Sequence, residues 1–125
     1  YKFFNPNFLG SKKINNIYAR FFIHAITLKD QIQFLRNVKK VLSKNGKIFL
    51  EFRTTKDPMM KLGKKISYNE RISSHYRRFI DVDKFEKEIQ AENFKFIYKK
   101  QSFNFANFNN QKPHICRMIL KQNLI

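Results

Sequence analysis

Residues 14–27 read INNIYARFFIHAIT, an apolar run interrupted by Arg20 and His24, two side chains that resist burial. Its first part, 14–20, predicts a buried strand. Thr27 then offers a helix N-cap, with Asp30 in the first turn where a carboxylate suits the helix dipole. Behind it Leu28, Ile32, Leu35, Val38 and Leu42 recur at helical spacing and predict an amphipathic helix. Asn45-Gly46 is expected to end that helix, the glycine supplying a left-handed cap. A second strand is predicted over 47–53 (KIFLEFR), followed by an irregular polar segment, 54–80, that carries Pro58 and Gly63. Asp81 caps a second predicted helix with Val82, Phe85 and Ile89 on its apolar side, ending near Asn93. Strands over 94–101 and 114–121 flank an Asn- and Phe-rich turn. This alternation predicts a layered α/β sheet, parallel at first and closed by a terminal antiparallel hairpin.

Composition adjusts this picture in several ways. With 42% hydrophobic and 16% aromatic residues among 125, the chain has material for one core and one domain. Fifteen Phe, no Trp and abundant Lys, Asn and Ile point to an AT-rich coding sequence. The net charge of +17 brings nucleic acid, an anionic membrane surface or an acidic substrate into consideration, although the basic residues are spread over every segment. A single cysteine, Cys116, excludes a disulfide framework and a cysteine metal site, and a reducing, cytoplasmic setting is the expectation. No apolar run reaches membrane-span length and no metal site is expected. The chain opens at Tyr1 within a polar-aromatic stretch, so residues 1–13 are expected to be a loop left from upstream sequence and 14–125 part of a larger domain.

The ordered segments carry a resemblance. IYARFFIHAI, VKKVLSKNGKIFLEFRTTKD with its Ser43-Lys44-Asn45-Gly46 turn, and SSHYRRFIDVDKF are similar to the C-terminal half of class I S-adenosylmethionine-dependent methyltransferases, and SSHYRRFIDVDKF to a bacterial subgroup that acts on small molecules. The resemblance covers about residues 14–121 and implies a partial Rossmann-like sheet made of the family's strands 4-5-7-6. It also implies S-adenosylmethionine as cofactor in the complete domain, and methyl transfer to a small, anionic acceptor. The family's Gly-rich cofactor loop has no counterpart here, so the isolated chain is expected to be inactive and to need the missing N-terminal half.

Ligands of open α/β sheets lie beyond the carboxyl ends of the strands. Arg20, Phe21 and Phe22 would sit there as cofactor contacts, an aromatic face being suited to a sulfonium. His24 would take a proton from the acceptor, with His75 and Tyr76 as further catalytic candidates. Arg53, Lys56, Asp57, Arg77 and Arg78 would bind the acceptor, since arginines grip carboxylate or phosphate bidentately. Against these roles stand ordinary ones: core aromatics, a satisfied histidine, a solvated charge run pairing with Asp81 and Asp83. A basic nucleic-acid-binding module is the alternative function, recognisable by a steep salt dependence. An exposed apolar first strand would also promote self-association along its edge.

Overall fold

The computed structural model describes residues 12–124. All but the last two residues of the expected 1–13 loop lie outside that range. In chain order the elements are β1 (Ile14–Arg20), a 3-10 turn (Ile23–Ala25), α1 (Leu28–Val41), β2 (Leu42–Arg53), a second 3-10 turn (Pro58–Lys61), β3 (Lys64–Lys65), β4 (Glu70–Ile72), β5 (Tyr76–Arg78), α2 (Val82–Ala91), β6 (Phe94–Ser102) and β7 (Ile115–Gln122). The main sheet has the order β1-β2-β7-β6, with β1 parallel to β2 and the other pairs antiparallel. This is the α/β arrangement with a terminal hairpin that the sequence pattern predicts.

Strand alternation divides the sheet into two faces. Ala19, Ile48, Leu50, Phe52, Cys116, Met118 and Leu120 pack with Phe34, Leu35 and Val38 of α1 and Phe85 and Ile89 of α2. Cys116 belongs to this core, and burial pushes its thiol up to about 12, which leaves it inert. The opposite face carries Tyr18, Phe49, Glu51, Arg117 and Ile119, with Tyr18 74% exposed. Both helix caps are as expected: Thr27 Oγ1 accepts from the Asp30 amide and Asp81 from the Lys84 amide, each at 3.2 Å.

Four details differ from the sequence pattern. β1 alternates instead of being buried throughout, because it is an edge strand covered on one face; among its side chains only Ala19 is fully buried. Leu28, in the first turn of α1 at the rim, is 42% exposed, and the buried line runs through Phe34, Leu35, Val38 and Val41. The helix ends at Val41, and Leu42 is already extended (φ −77°, ψ 131°). Gly46 therefore caps nothing; a Cβ there would stand 2.5 Å from Leu42 Cδ1, so the residue serves a close approach. Finally, the segment 54–80 is not irregular but forms a small antiparallel sheet, β3-β4-β5. Its strands are too short and too polar to show a period. The Ile80 amide donates to Arg53 O (3.1 Å) and the Thr55 amide to Ile80 O (3.0 Å), so this excursion leaves and rejoins the scaffold at the end of β2.

Candidate active site

The carboxyl ends of β1 and β2 lie side by side, and the chain turns sharply beyond each. After Arg20, Phe21 takes the left-handed conformation (φ 54°), and its amide donates to Glu51 O at 2.7 Å. A bulky aromatic side chain at positive φ is strained, and such strain concentrates at functional sites. The Phe21 ring lies 5.0 Å from the Arg20 guanidinium carbon and 5.5 Å from the His24 ring. That ring already accommodates a cation over its face. Arg20 Nε also contacts Glu51 Oε1 (3.2 Å), and Arg117 Nε takes the other oxygen (2.9 Å), so Glu51 ties β1 to β7. Phe22 turns inward instead, its ring 4.9 Å from that of Phe34.

His24 is held by the 3-10 turn, and its Nδ1 accepts the Arg53 amide at 2.9 Å. The ring hydrogen therefore sits on Nε2, which makes His24 a donor through that nitrogen and removes it as a proton acceptor through Nδ1. Burial first, then the positive charge of Arg53 and Arg77, lowers its pKa from 6.5 to about 3. Above pH 6.5 the ring is neutral in both folded and unfolded chains. Between pH 6.5 and about 3 only the unfolded chain takes up the proton. Stability is thus expected to fall with acidification across that window, by at most about 1.4 kcal/mol per pH unit. His114, whose pKa is lowered by burial and by Lys56, acts in the same direction. Urea unfolding at pH 7, 6, 5 and 4 checks this. His24→Asn keeps an acceptor for the Arg53 amide and should flatten the slope; an unchanged slope would remove His24 as its source.

Asp57 knots the base of the excursion. It is 2% exposed and accepts from Arg53 Nη1 (3.0 Å), the Met59 amide (2.8 Å) and the His114 amide (3.1 Å). The His114 ring meets Thr54 Oγ1, which also accepts from the Lys56 amide at 3.1 Å. End of β2, second 3-10 turn and start of β7 are thereby locked together.

On β5 the expected cluster splits. Arg78 points inward, 6% exposed, donating to Ile26 O (2.9 Å), Ile23 O (3.4 Å) and Gln31 Oε1 (2.6 Å). The expectation that it meets an acceptor is corrected: its fork is filled by two backbone carbonyls and the Gln31 side-chain oxygen. The Tyr76 hydroxyl is likewise held by Glu70 Oε2 at 2.5 Å, and burial with that carboxylate raises its pKa. Arg77 remains at the surface with Ser73 Oγ at 3.2 Å, its pKa lowered by partial burial and by Arg53. His75 is exposed, with Nδ1 3.0 Å from Ser74 Oγ.

Two cavities adjoin at the Arg53 side chain. One, of about 290 Å³, is lined by Arg20, Phe21, Arg53 and Phe108, together with Gln111 and Pro113. The other, of about 540 Å³, is lined by Arg53, Asp57, Met59, Lys61, Leu62 and Lys112 among others. No group of His, Cys, Asp and Glu suited to a metal ion occurs among the described residues. No helix there is long and apolar enough to cross a membrane.

No protein-family model and no curated protein matches the sequence. Solved structures do match the fold. A methyltransferase from Methanosarcina mazei superposes with a TM-score of 0.73 at 11% identity, over 97% of this chain and 66% of that one. One from Clostridium acetobutylicum gives 0.67 at 11% identity, over 95% and 62%. The 1,6-didemethyltoxoflavin-N1-methyltransferase of Burkholderia thailandensis, with bound 1,6-didemethyltoxoflavin and S-adenosylhomocysteine, gives 0.66 at 10% identity, over 95% and 48%. The fold is that of an S-adenosylmethionine-dependent methyltransferase. The chain spans less than two thirds of each of these relatives.

Within this methyltransferase fold, Arg20, Phe21 and Arg53 line the smaller cavity and Arg53 and Asp57 the larger, His24 is buried against Phe21 and Arg53, Arg77 lies near Arg53, and Phe22 and Arg78 face the interior. Lys56 is exposed beside them. Sequence reasoning missed Glu51, Met59, Lys61, Leu62 and Lys112. The one available signal was that both long connections, 54–80 and 102–113, leave the sheet at the end where β2 finishes.

Proposed function

We propose that this chain forms the acceptor-binding half of an enzyme that transfers a methyl group from S-adenosylmethionine to a small anionic molecule. The observation that carries this reading is the fate of the nine carboxylates. Glu86 and Glu92 pair with Lys99 and Arg36 away from the cleft, and Glu51 is shared by Arg20 and Arg117. Asp81 caps α2 and Asp30 and Asp83 lie in first turns. Glu70 holds Tyr76 and Glu88 holds Gln31. At the rim Glu51 is taken by Arg20 and Arg117 and Asp57 by Arg53. Arg77 thus feels the charge of Arg53 with no ion pair of its own, Asp57 offsetting it only at longer range, an arrangement that an incoming anion relieves.

In this reading Arg53 and Arg77 orient the acceptor and His24 Nε2–H donates a hydrogen bond to it. His75, close enough to His24 to depress its pKa, accepts the proton that the acceptor loses. The cofactor, when bound, supplies a methyl group carried on a sulfonium. Phe21 fits that charge, since a cation already sits over its ring. The protein's contribution is in-line positioning. Gly46 and Gly63, the glycines among the described residues, serve a close packing contact and a turn, and neither opens a helix. The remaining cofactor contacts are therefore assigned to polypeptide beyond the outer edge of β1, and self-association through that edge is expected when it is missing.

Calorimetry tests the reading. S-adenosylmethionine should bind a longer polypeptide that carries strands beyond β1, and not the 125-residue chain; tight binding by the short chain would contradict the assignment. In the active protein, Arg53→Ala and Arg77→Ala should each raise KM for an acidic acceptor at least about tenfold, with less effect on kcat.

A second reading has one observation in its favour. Lys47, Lys121 and Lys95 stand abreast on three neighbouring strands, a like-charge row that suits a polyanion. The neighbouring Tyr18 and Phe49 rings stack 4.5 Å apart at 10°, which is about the strand spacing. They stand on edge as a ridge and offer no flat platform for bases. Oligonucleotide affinity at two salt concentrations separates the readings, a flat response ending this one.

A further inference from the structure

The reading above uses the smaller cavity at the rim and leaves the larger without a role. The larger one is a built chamber. Asp57 caps the second 3-10 turn through the Met59 amide, and the turn sets Pro58, Met59 and Leu62 as an apolar wall, with Leu62 57% exposed. The facing wall comes from the β6–β7 connection. There Asn109 and Asn110 adopt left-handed conformations (φ 47° and 63°), and Phe108 and Gln111 exchange backbone hydrogen bonds. Asparagine tolerates that conformation better than most residues, and the turn sets Lys112 and the buried Pro113 over the chamber. Lys61 and Lys112 have no acidic partner among the described residues. Asp57, the one carboxylate present, already accepts three hydrogen bonds. The volume, about 540 Å³, lies in the range of small-molecule sites, and the walls are apolar under a cationic mouth.

We propose that this chamber binds an apolar body carrying an anionic group, an aryl or acyl acid, with the body on Met59 and Leu62 and the anion between Lys61 and Lys112. The end of the molecule to be methylated reaches past Arg53 toward Phe21; that last point alone rests on the methyltransferase reading. The acceptor is thus an elongated acid rather than a compact polar metabolite.

Three methionines make the test direct. With [methyl-13C]methionine, the chain gives signals from Met59 in the chamber, Met60 beside it and Met118 in the core beneath the open sheet face. The probes are 4-phenylbutyrate, 4-phenylbutanol and 4-phenylbutylamine, which share one apolar body and differ in charge. The acid should shift Met59 saturably, the alcohol should bind at least about tenfold more weakly, and the amine should leave Met59 unmoved. The exposed double change Lys61→Glu with Lys112→Glu should reverse the order of acid and amine, and Leu62→Ser should weaken acid and alcohol alike. Equal affinity for all three probes, or a shift of Met118 while Met59 stays silent, would overturn the proposal; the latter would place the probe on the open face. No cofactor is present in this experiment. Its failure therefore leaves methyl transfer standing, and failure of cofactor binding in the longer protein leaves the chamber standing.

Discussion

Asp57→Ala is expected to destabilise the chain by about 3–5 kcal/mol, measured as a lower urea midpoint at unchanged m-value. Three donors lose their acceptor at once: Arg53 Nη1 and the amides of Met59 and His114. The carboxylate side chain has no exposed surface and that of Arg53 is 13% exposed, so water replaces these bonds poorly. Removing one member of a buried pair leaves the other charge uncompensated, which costs more than the pair contributed. Asp57→Asn keeps the shape and one acceptor oxygen but turns an NH2 group toward one of the donors, so it should lose about half as much. A change under about 1 kcal/mol for alanine would mean that the knot at the end of β2 holds nothing together. The consequence reaches the cleft. Arg53 walls both chambers, and the turn that begins at Asp57 carries Met59 and Leu62.

What was legible in the sequence was what is local. Thr27 and Asp81 cap helices because a short side-chain oxygen three residues ahead of a backbone amide needs nothing else. The order of strands and helices followed from periodicity, and the hairpin pairing of β6 with β7 from adjacency. The rotation of α1 was not legible, since which apolar residues are buried depends on where the sheet ends; Leu28 lies beyond it and Phe34 over it. Gly46 was misread because a glycine after a helix suggests a cap, whereas its cause is the Leu42 side chain folded against it. The cleft was hardest. Arg77 and Arg78 are neighbours with identical chemistry, and only strand alternation at β5 turns one outward and the other inward. Lys61 and Lys112 are far apart in sequence and become partners only when two connections meet at the same rim.

That pair of arginines gives the sharpest separation of structure from function. Arg78→Met should destabilise the chain by about 3 kcal/mol. An apolar side chain of similar length removes a buried charge that is costly to desolvate, which favours the variant. It also leaves Ile26 O, Ile23 O and Gln31 Oε1 without their donor, each worth about 1 kcal/mol or more when buried. The second effect wins because Arg78 has no carboxylate in direct contact whose loss would cancel with its own; Glu88, bonded to Gln31, and Glu70 act on it only at longer range. Arg78→Lys should recover part of the loss, since an ammonium reaches one or two of these oxygens but not all three in the plane of a fork. Arg77→Ala should change stability by less than about 0.5 kcal/mol, its described partner being a serine hydroxyl at the surface. Its effect should appear instead in the active protein, as the tenfold rise in KM expected if Arg77 orients the acceptor as proposed. Urea unfolding and acceptor kinetics of both variants read the two quantities separately. If Arg77→Ala unfolds as readily as Arg78→Met, or if Arg78→Met raises KM for the acceptor while keeping full stability, the inward and outward assignment at β5 fails, and with it the proposed Arg53–Arg77 grip on the acceptor.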